Sequence, residues 1–307
     1  MHTENNVSRK KPVTLIHHAA NCDHEMPPNS LSALRRCFSA GAAFVEIDVL
    51  PLTDGSFVLL HDPNLAEDTD GRGNVAQMTR GAVENLHYRY DGVVTNEKVG
   101  FLEGAVDLLI QFPNTHRLQI DFKPFSALTQ SSLRDFLSII EPVMDRVQVS
   151  SVADWALRAL DSIAPKLFLG FDPLLYLDLV EDTPRPENIP PFRLGAYGLL
   201  DDHPLAAYQW GTMEDYFSAR ASALLAQAPQ GCEWFIRAEI LKLALDAGFD
   251  WIDFLHKHDS KVDGWTIDVT QPEQVALAQF LVDRGIDKLT TDHPPDLAAR
   301  LNAEVIF

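Results

Sequence analysis

The sequence predicts an α/β fold, a closed (β/α)8 TIM barrel formed by a single domain that spans residues 12–307. Short apolar runs alternate along the chain with longer amphipathic runs, which is the pattern of βα units around a parallel sheet. Eight of the short runs are candidate strands, the number that such a barrel requires. A doubly wound open sheet is the alternative, and no glycine fingerprint after the first strand supports it.

The predicted barrel strands are short, and amphipathic runs separate most of them. In chain order the strands are Val13–His17, Ala43–Val49, Arg117–Lys123, Arg146–Ser150, Leu167–Phe171, Trp234–Arg237, Gly264–Asp268 and Asp287–Thr291. The predicted helices are Ser30–Ala40, Gly104–Gln111, Ser131–Val143, Trp155–Ile163, Ala238–Ala247, Pro272–Arg284 and Pro295–Asn302. Residues 1–11 are polar, and we expect them to form a loose tail.

Two segments depart from the simple alternation of strands and helices. Ser56–His61 reads as a further strand after the second barrel strand, across the turn Thr53-Asp54-Gly55. Because Asp-Gly is a strong hairpin signal, we expect this strand to pair antiparallel with the second one. Asp172–Met213 contains six prolines, and we interpret it as an insertion that covers one mouth of the barrel.

Composition and charge exclude several classes of function. The net charge is −19, from 25 basic and 44 acidic residues, which argues against nucleic acid and against stable association with anionic membranes. A bound metal can still reverse the local field and admit a small phosphate substrate. The polar start lacks the apolar stretch of a signal peptide, so a cytoplasmic protein is expected. Cys22, Cys37 and Cys232 are widely spaced and indicate neither a disulfide framework nor a CxxC zinc site.

Acidic side chains lie near the ends of two predicted strands that are consecutive in the chain. Glu46 and Asp48 are two residues apart, so both point to the same face of their strand. Two buried carboxylates on one face repel each other unless a cation lies between them, and Asp121 from the next strand could complete the set. Oxygen ligands favour a hard divalent cation, Mg2+ or Ca2+. In the alternative interpretation, Glu46 and Asp48 face solvent or pair with Lys123.

Two histidines end neighbouring strands of the predicted barrel. His17 closes the first strand and His61 closes the hairpin strand, so both could flank a phosphate held by the metal. Cleavage of a phosphodiester needs one proton removed from the attacking hydroxyl and one given to the leaving alkoxide. Two imidazoles can divide these roles near neutral pH, although a histidine at a strand end is more often structural.

Seven short blocks run in order along nearly the whole chain. They are Ile16-His17-His18, Pro27-Pro28-Asn29-Ser30, the run from Gly41 to Val49, the run from Asp54 to Asp62, Ile120-Asp121-Phe122-Lys123, Trp265-Thr266-Ile267-Asp268 and Thr291-Asp292-His293-Pro294. Together these blocks resemble the glycerophosphodiester phosphodiesterases, a family of barrel enzymes that includes or neighbours sphingomyelinase D. The chain departs from the family pattern in having His18 for arginine, Pro28 for glutamate and Asp121 for glutamate.

The resemblance implies a role for each of the singled-out residues. His17 and His61 would be the acid/base pair, and Glu46, Asp48 and Asp121 would bind the divalent cation. Contacts to the substrate would come from three further residues: Lys123 at a phosphate oxygen, Trp265 as an apolar wall, and His18 in place of the arginine.

The expected activity is the metal-dependent hydrolysis of a small glycerophosphodiester-like substrate to an alcohol and a phosphomonoester. A sugar-phosphodiester hydrolase of the agrocinopine type is one alternative, because the altered His18 and Pro28 and the long insertion could reshape the pocket. A lyase of the sphingomyelinase D type is another. A barrel that binds a phosphate ligand without catalysis is the alternative from a different class.

Overall fold

A computed structural model describes residues 11–115, 117–177 and 211–307 of the chain. The strands are β1 (Val13–His17), β2 (Phe44–Pro51), β3 (Phe57–Val58), β4 (His87–Tyr90), β5 (Val93–Lys98), β6 (Arg117–Phe122), β7 (Val147–Ser151), β8 (Phe168–Phe171), β9 (Glu233–Arg237), β10 (Val262–Ile267), β11 (Lys288–Thr291) and β12 (Val305–Ile306). The α-helices are α1 (Leu31–Ser39), α2 (Leu65–Asp68), α3 (Arg80–Val83), α4 (Leu102–Gln111), α5 (Gln130–Ile140), α6 (Asp154–Ile163), α7 (Met213–Gln227), α8 (Ala238–Asp246), α9 (Trp251–His256), α10 (Pro272–Asp283) and α11 (Pro294–Arg300).

Eight parallel strands close into a barrel in the order β1-β2-β6-β7-β8-β9-β10-β11, and β11 pairs again with β1. The predicted TIM-barrel fold is therefore confirmed, and each predicted barrel strand overlaps an observed one. The predicted hairpin strand is also present, because β3 pairs antiparallel with the end of β2 through Leu50 and Val58. Its regular part is shorter than predicted, since β3 covers two residues only.

Side chains alternate across the barrel wall, and this alternation decides which residues can form a site. On β2, Val45, Ile47 and Val49 are fully buried in the apolar layer between the strands and the outer helices. Glu46 and Asp48, the residues between them, point to the barrel interior. The same layer takes up the apolar faces of α1, α4, α5 and α8.

A two-stranded hairpin, β4–β5, stands outside the barrel and was not among the predicted elements. Its buried Tyr88 carries a hydroxyl that donates to the carbonyl oxygen of Leu59 at 2.8 Å and lies 3.1 Å from that of Asn29. The same hydroxyl oxygen accepts the backbone N–H of Gly100 at 3.1 Å. One phenol therefore joins three separate loop segments beside the barrel.

The predicted insertion and the predicted tail fall largely on residues that the structure does not describe. Of Asp172–Met213, only residues 172–177 and 211–213 are described, and Pro173–Leu175 form a short 3-10 helix. Of residues 1–11, only Lys11 is described. In the described ranges no helix combines the length and the apolar character that crossing a bilayer would require.

Charged and polar side chains fill the barrel interior at the amino ends of the strands. Lys288 forms a buried ion pair with Glu233 at 2.6 Å, and its Nζ lies 3.4 Å from the side-chain oxygen of Gln148. Asp263 accepts a hydrogen bond from Thr290 at 3.0 Å. Burial and the nearby Glu233 charge raise the pKa of Asp263 to about 7. Lys288 is therefore a buried cation that offsets the negative charge of Glu233 and Asp263 at this end of the barrel interior.

We expect Lys288→Met to destabilise the protein by about 3–5 kcal/mol, because removing one partner of a buried pair leaves an uncompensated charge. Lys242→Met is the matched control, since Lys242 pairs with Asp246 on an exposed helix surface and should cost at most about 1 kcal/mol. Urea unfolding at pH 7 measures both changes. Equal losses in the two variants would contradict the role assigned to Lys288.

Candidate active site

Three carboxylates meet at the carboxyl-end half of the barrel, as the sequence predicts. Glu46 and Asp48 extend from β2, and Asp121 on β6 is in register with Asp48. One oxygen from each of the three side chains lies within 4.8 Å of the others. Glu46 and Asp48 are almost fully buried, with 3% and 1% of their surface exposed, so their charges are poorly screened by water.

Lys123 supplies positive charge to this group. Its Nζ lies 2.9 Å from Oδ1 of Asp48 and 3.0 Å from Oδ2 of Asp121. Burial alone would lower the pKa of Lys123, but the two carboxylates outweigh burial and raise it above the usual range. Burial would also raise the pKa of Asp48, but Lys123 outweighs it and lowers the pKa to about 2. The family resemblance implies that Lys123 contacts the substrate phosphate. In the structure its Nζ instead pairs with Asp48 and Asp121, two of the predicted metal ligands.

The hydrogen bonding of Glu46 shows whether a cation would fit among the three carboxylates. Its Oε2 accepts the backbone N–H of Ala19 at 2.6 Å, but its buried Oε1 has no hydrogen-bond partner within residues 11–115, 117–177 and 211–307. Burial and the adjacent Asp48 raise the pKa of Glu46 to about 8, which is the cost of holding this charge without compensation. An all-oxygen set with an unpartnered carboxylate oxygen fits a hard divalent cation.

Asn29 holds Asp48, the second predicted ligand, in place, and it was not among the residues predicted to form the site. Its side-chain amide donates to Oδ2 of Asp48 at 2.8 Å, and its amide oxygen accepts the backbone N–H of Asp48 at 2.8 Å. Asn29 has a φ of 60°, a left-handed conformation that asparagine tolerates better than most residues. The block Pro27-Pro28-Asn29-Ser30 was the signal from which this role could have been found.

Of the two consecutive histidines at the end of β1, His18 is the one that lies near the carboxylates, in a short 3-10 turn after the strand. Its Nδ1 lies 2.8 Å from Oδ1 of Asp292, an acid that follows β11. Burial alone would lower the pKa of His18, but Asp292, Glu46 and Asp48 outweigh it and raise the pKa to about 9. A dication among the carboxylates would cancel much of this negative field and lower that pKa again. Like Asn29, Asp292 contacts a site residue without having been predicted to do so.

His17, the predicted acid/base residue, lies on the opposite side of the barrel wall. It shares the outer face of β1 with Leu15, because side chains alternate along a strand. Its neighbours are the thiols of Cys22 and Cys37, and its Nδ1 lies 3.0 Å from the carbonyl oxygen of Asn21. Burial lowers the pKa of His17. The structure therefore brings His18, and not His17, to the predicted metal ligands.

His61 lies just after β3, the strand that pairs antiparallel with the end of β2. Its Nδ1 lies 3.2 Å from Oδ2 of Asp62, and about half of its side chain, 51%, is exposed. Asp68 fixes the local backbone, since its Oδ2 accepts the N–H groups of both His61 and Asp62. The imidazole lies near enough to lower the pKa of Asp48 together with Lys123. The predicted position of His61 beside the carboxylate group is thus supported by the geometry.

Trp265 and Arg237 lie side by side on adjacent strands. Trp265 on β10 is in register with Arg237, the last residue of β9. Trp265 is half-buried, as expected for a wall of the pocket, and its buried indole nitrogen has no hydrogen-bond partner in the described part of the chain. Arg237 pairs with Glu239 at 3.4 Å and was not singled out from the sequence. This pair gives the mouth of the barrel an aromatic and a cationic group.

Sequence comparison relates this chain to a family of known proteins. The sequence model of the Glycerophosphoryl diester phosphodiesterase family matches residues 20–177, which include all three carboxylates, His61 and Lys123. The chain is 36% identical over 87 residues to glycerophosphodiester phosphodiesterase 1 of Bos taurus, a match that spans only 26% of that relative's length. It is 24% identical over 277 residues to the glycerophosphodiester phosphodiesterase of Caldanaerobacter subterraneus subsp. tengcongensis, covering 89% of this chain and 91% of the relative.

Solved structures share the fold of this chain. A phosphodiesterase of Oleispira antarctica in complex with the product sn-glycerol-3-phosphate aligns with a TM-score of 0.63 and 19% identity, covering 94% of this chain and 96% of that one. A glycerophosphodiester phosphodiesterase of Parabacteroides distasonis aligns with a TM-score of 0.66 and 18% identity, covering 94% and 97%. Since the family model covers just over half of the sequence and includes the carboxylate site, the chain belongs to the glycerophosphoryl diester phosphodiesterase family.

Proposed function

We propose that this chain hydrolyses a glycerophosphodiester, with a divalent cation of the Mg2+ or Ca2+ class at Glu46, Asp48 and Asp121 and with His18 and His61 as the proton-transfer pair. One observation carries the proposal. Two imidazoles, each with a carboxylate at Nδ1, act electrostatically on a three-carboxylate group in which Glu46 and Asp48 are buried and one Glu46 oxygen has no partner among the described residues. Metal binding and proton transfer are two means by which an active site accelerates the cleavage of a phosphodiester.

The two histidines are arranged for the same kind of proton exchange. In each of them a carboxylate, Asp292 for His18 and Asp62 for His61, accepts from the Nδ1–H group. This tautomer leaves Nε2 to take or give a proton, as the partner of an orienting carboxylate does in other hydrolases. One imidazole removes the proton of the attacking hydroxyl, and the other protonates the alkoxide that leaves.

The remaining residues bind and orient the substrate and the cation. When bound, the cation supplies positive charge that stabilises the negative charge developing on the phosphate. The carboxylate ligands of the cation are held by Asn29, by Lys123 and by the N–H of Ala19. The hydroxyl oxygen of Ser150 also lies 3.4 Å from Oδ1 of Asp121. Trp265 would form an apolar wall for the alcohol group. The glycerol phosphate bound by the Oleispira antarctica relative supports glycerol as one substituent of the phosphate.

We expect His18→Asn to lower kcat for glycerophosphocholine by about 10²–10⁴-fold, the usual contribution of a general acid or base. His17→Asn should lower it far less, because that ring lies outside the barrel wall. Coupled detection of released glycerol 3-phosphate with Mg2+ or Ca2+ present measures kcat, and circular dichroism confirms that each variant is folded.

His256→Asn serves as the inert control, since that exposed histidine pairs with Asp287 away from the carboxylates. A large loss of kcat in folded His17→Asn, together with near-normal kcat in His18→Asn, would reverse the assignment of the two residues. Loss of neither would remove the first strand from proton transfer altogether.

We expect Glu46→Gln to weaken binding of Mn2+, a probe for the hard-cation site, by more than about 100-fold. Changes in the residues that merely support a ligand already cost about 10–100-fold, so loss of a ligand charge should exceed that range. Titration calorimetry measures the affinity, and EDTA should abolish turnover of the wild-type protein until Mg2+, Ca2+ or Mn2+ is restored.

Asp268→Asn is the matched control for the change at Glu46. Asp268 is an exposed acid just after β10 whose carboxylate is bonded to Thr270 and Gln271, so its loss should leave Mn2+ affinity within about twofold. Turnover that persists in EDTA, or equal affinities in the two variants, would contradict a cation at the carboxylate group.

A further inference from the structure

A second group of ligand-type side chains lies on the outer side of the barrel wall, behind β1. It consists of His17 at the end of β1, Cys22 in the loop that follows, and Cys37 on α1. One ring nitrogen of His17 and the two sulfur atoms all lie within 4.8 Å of one another. His17 and Cys37 are buried, with 3% and 0% of their surface exposed, and Cys22 is partly exposed.

His17 contains an unexplained polar atom that points to a ligand. Its Nδ1 lies 3.0 Å from the carbonyl oxygen of Asn21, so the Nδ1–H group donates to that oxygen. Its Nε2 is then left as a lone-pair acceptor, and this buried atom has no hydrogen-bond partner among the described residues. A buried polar atom of this kind costs about 1–3 kcal/mol unless something satisfies it. Metal-bound histidines typically show the same pattern, with the other ring nitrogen donating to a carbonyl.

The sulfur atoms favour a soft ion over a hard one. The Cys37 thiol donates to the carbonyl oxygen of Ala20 at 2.9 Å, and Cys22 opens onto a narrow cleft beside Asp23 and Arg36. Two thiolates and a neutral imidazole bring a charge of −2, which a divalent cation neutralises completely. A neutral site is compatible with its burial beside the apolar layer, because uncompensated charge there would be costly.

We propose that His17, Cys22 and Cys37 form a binding site for a thiophilic divalent cation of the Zn2+ class. Binding forms one metal–nitrogen and two metal–sulfur bonds and releases the two thiol protons to solvent. In a tetrahedral site with Zn–S about 2.3 Å and Zn–N about 2.0 Å, ligand atoms lie roughly 3.5 Å apart, so the side chains need only close slightly. The three side chains leave one tetrahedral position open, and a water molecule takes that position in many three-ligand zinc sites.

This site is chemically distinct from the carboxylate group inside the barrel. The inner group offers only oxygen atoms and suits hard ions, while the outer group offers sulfur and nitrogen. The outer ion would tie the loop after β1 to α1. That loop begins with His18 and with the Ala19 N–H group that binds Glu46, so the outer site would support the residues of the inner one without contacting the substrate.

Cobalt substitution tests the proposal with a signal that the carboxylates cannot produce. The reduced full-length protein is titrated with Co2+ in excess Mg2+, and absorption is followed in the near ultraviolet, where Co2+–thiolate charge transfer appears. We expect one equivalent of Co2+ to produce this band and Zn2+ to abolish it by displacement. Cys22→Ser and Cys37→Ser should each lose the band, and His17→Gln should weaken Co2+ binding by more than about tenfold.

Cys232→Ser is the matched control, since Cys232 is also buried but stands next to β9, and it should keep the band. Cys22→Ser keeps the test decisive if Cys37→Ser fails to fold, because Cys22 is partly exposed. The proposal is overturned if the reduced wild-type protein gives no thiolate band, or if the band survives in folded Cys22→Ser. It is also overturned if mild oxidation links Cys22 to Cys37 but no metal binds the reduced pair. Phosphodiesterase activity can be present or absent in any of these outcomes, so the two proposals fail separately.

Discussion

The mutual repulsion of Glu46, Asp48 and Asp121 is the constraint on which the arrangement of the active site depends. Three carboxylates with oxygens within 4.8 Å of one another, two of them on buried side chains, are unfavourable without compensation. The surrounding residues provide part of it: Lys123 between two of the acids, the amide of Asn29 on Asp48, and the N–H of Ala19 on Glu46. Among the described residues, one oxygen of Glu46 has no hydrogen-bond partner, and a cation could bind at this position.

The consecutive histidines at the end of β1 show how a strand can serve both sides of a barrel wall. His17 is the last residue that follows the alternation of the strand, and it points outward toward α1. His18 begins a 3-10 turn, in which Ala19 and Ala20 adopt left-handed conformations with φ of 48° and 55°. This turn brings His18 to Asp292 and the N–H of Ala19 to Glu46, so the local backbone decides which imidazole faces the carboxylates.

Much of the fold was predictable because apolar runs of strand length mark each barrel strand, and the E-x-D spacing places Glu46 and Asp48 on one face. The choice between His17 and His18 was not, since it depends on where regular pairing ends within a single residue. Asp292 lies far from His18 in sequence, and the pairing of β11 with β1 that closes the barrel brings the two together. Asn29 reaches Asp48 from the segment between β1 and α1. Cys22 and Cys37 are likewise separated by a loop and most of α1, so their spacing gave no sign of a common site.

The β4–β5 hairpin did carry an Asp-Gly turn, Asp91-Gly92, but its polar strands lack the apolar pattern that identified the others.

The buried hydroxyl of Tyr88 links two parts of the reaction centre from outside the barrel. It contacts the carbonyl oxygen of Asn29, whose side chain grips Asp48, and that of Leu59, two residues before His61. The carboxylate group and the segment that carries the exposed imidazole therefore share a single anchor. Any displacement of the outer hairpin would shift both together, so their spacing can be preserved even while the mouth of the barrel changes shape.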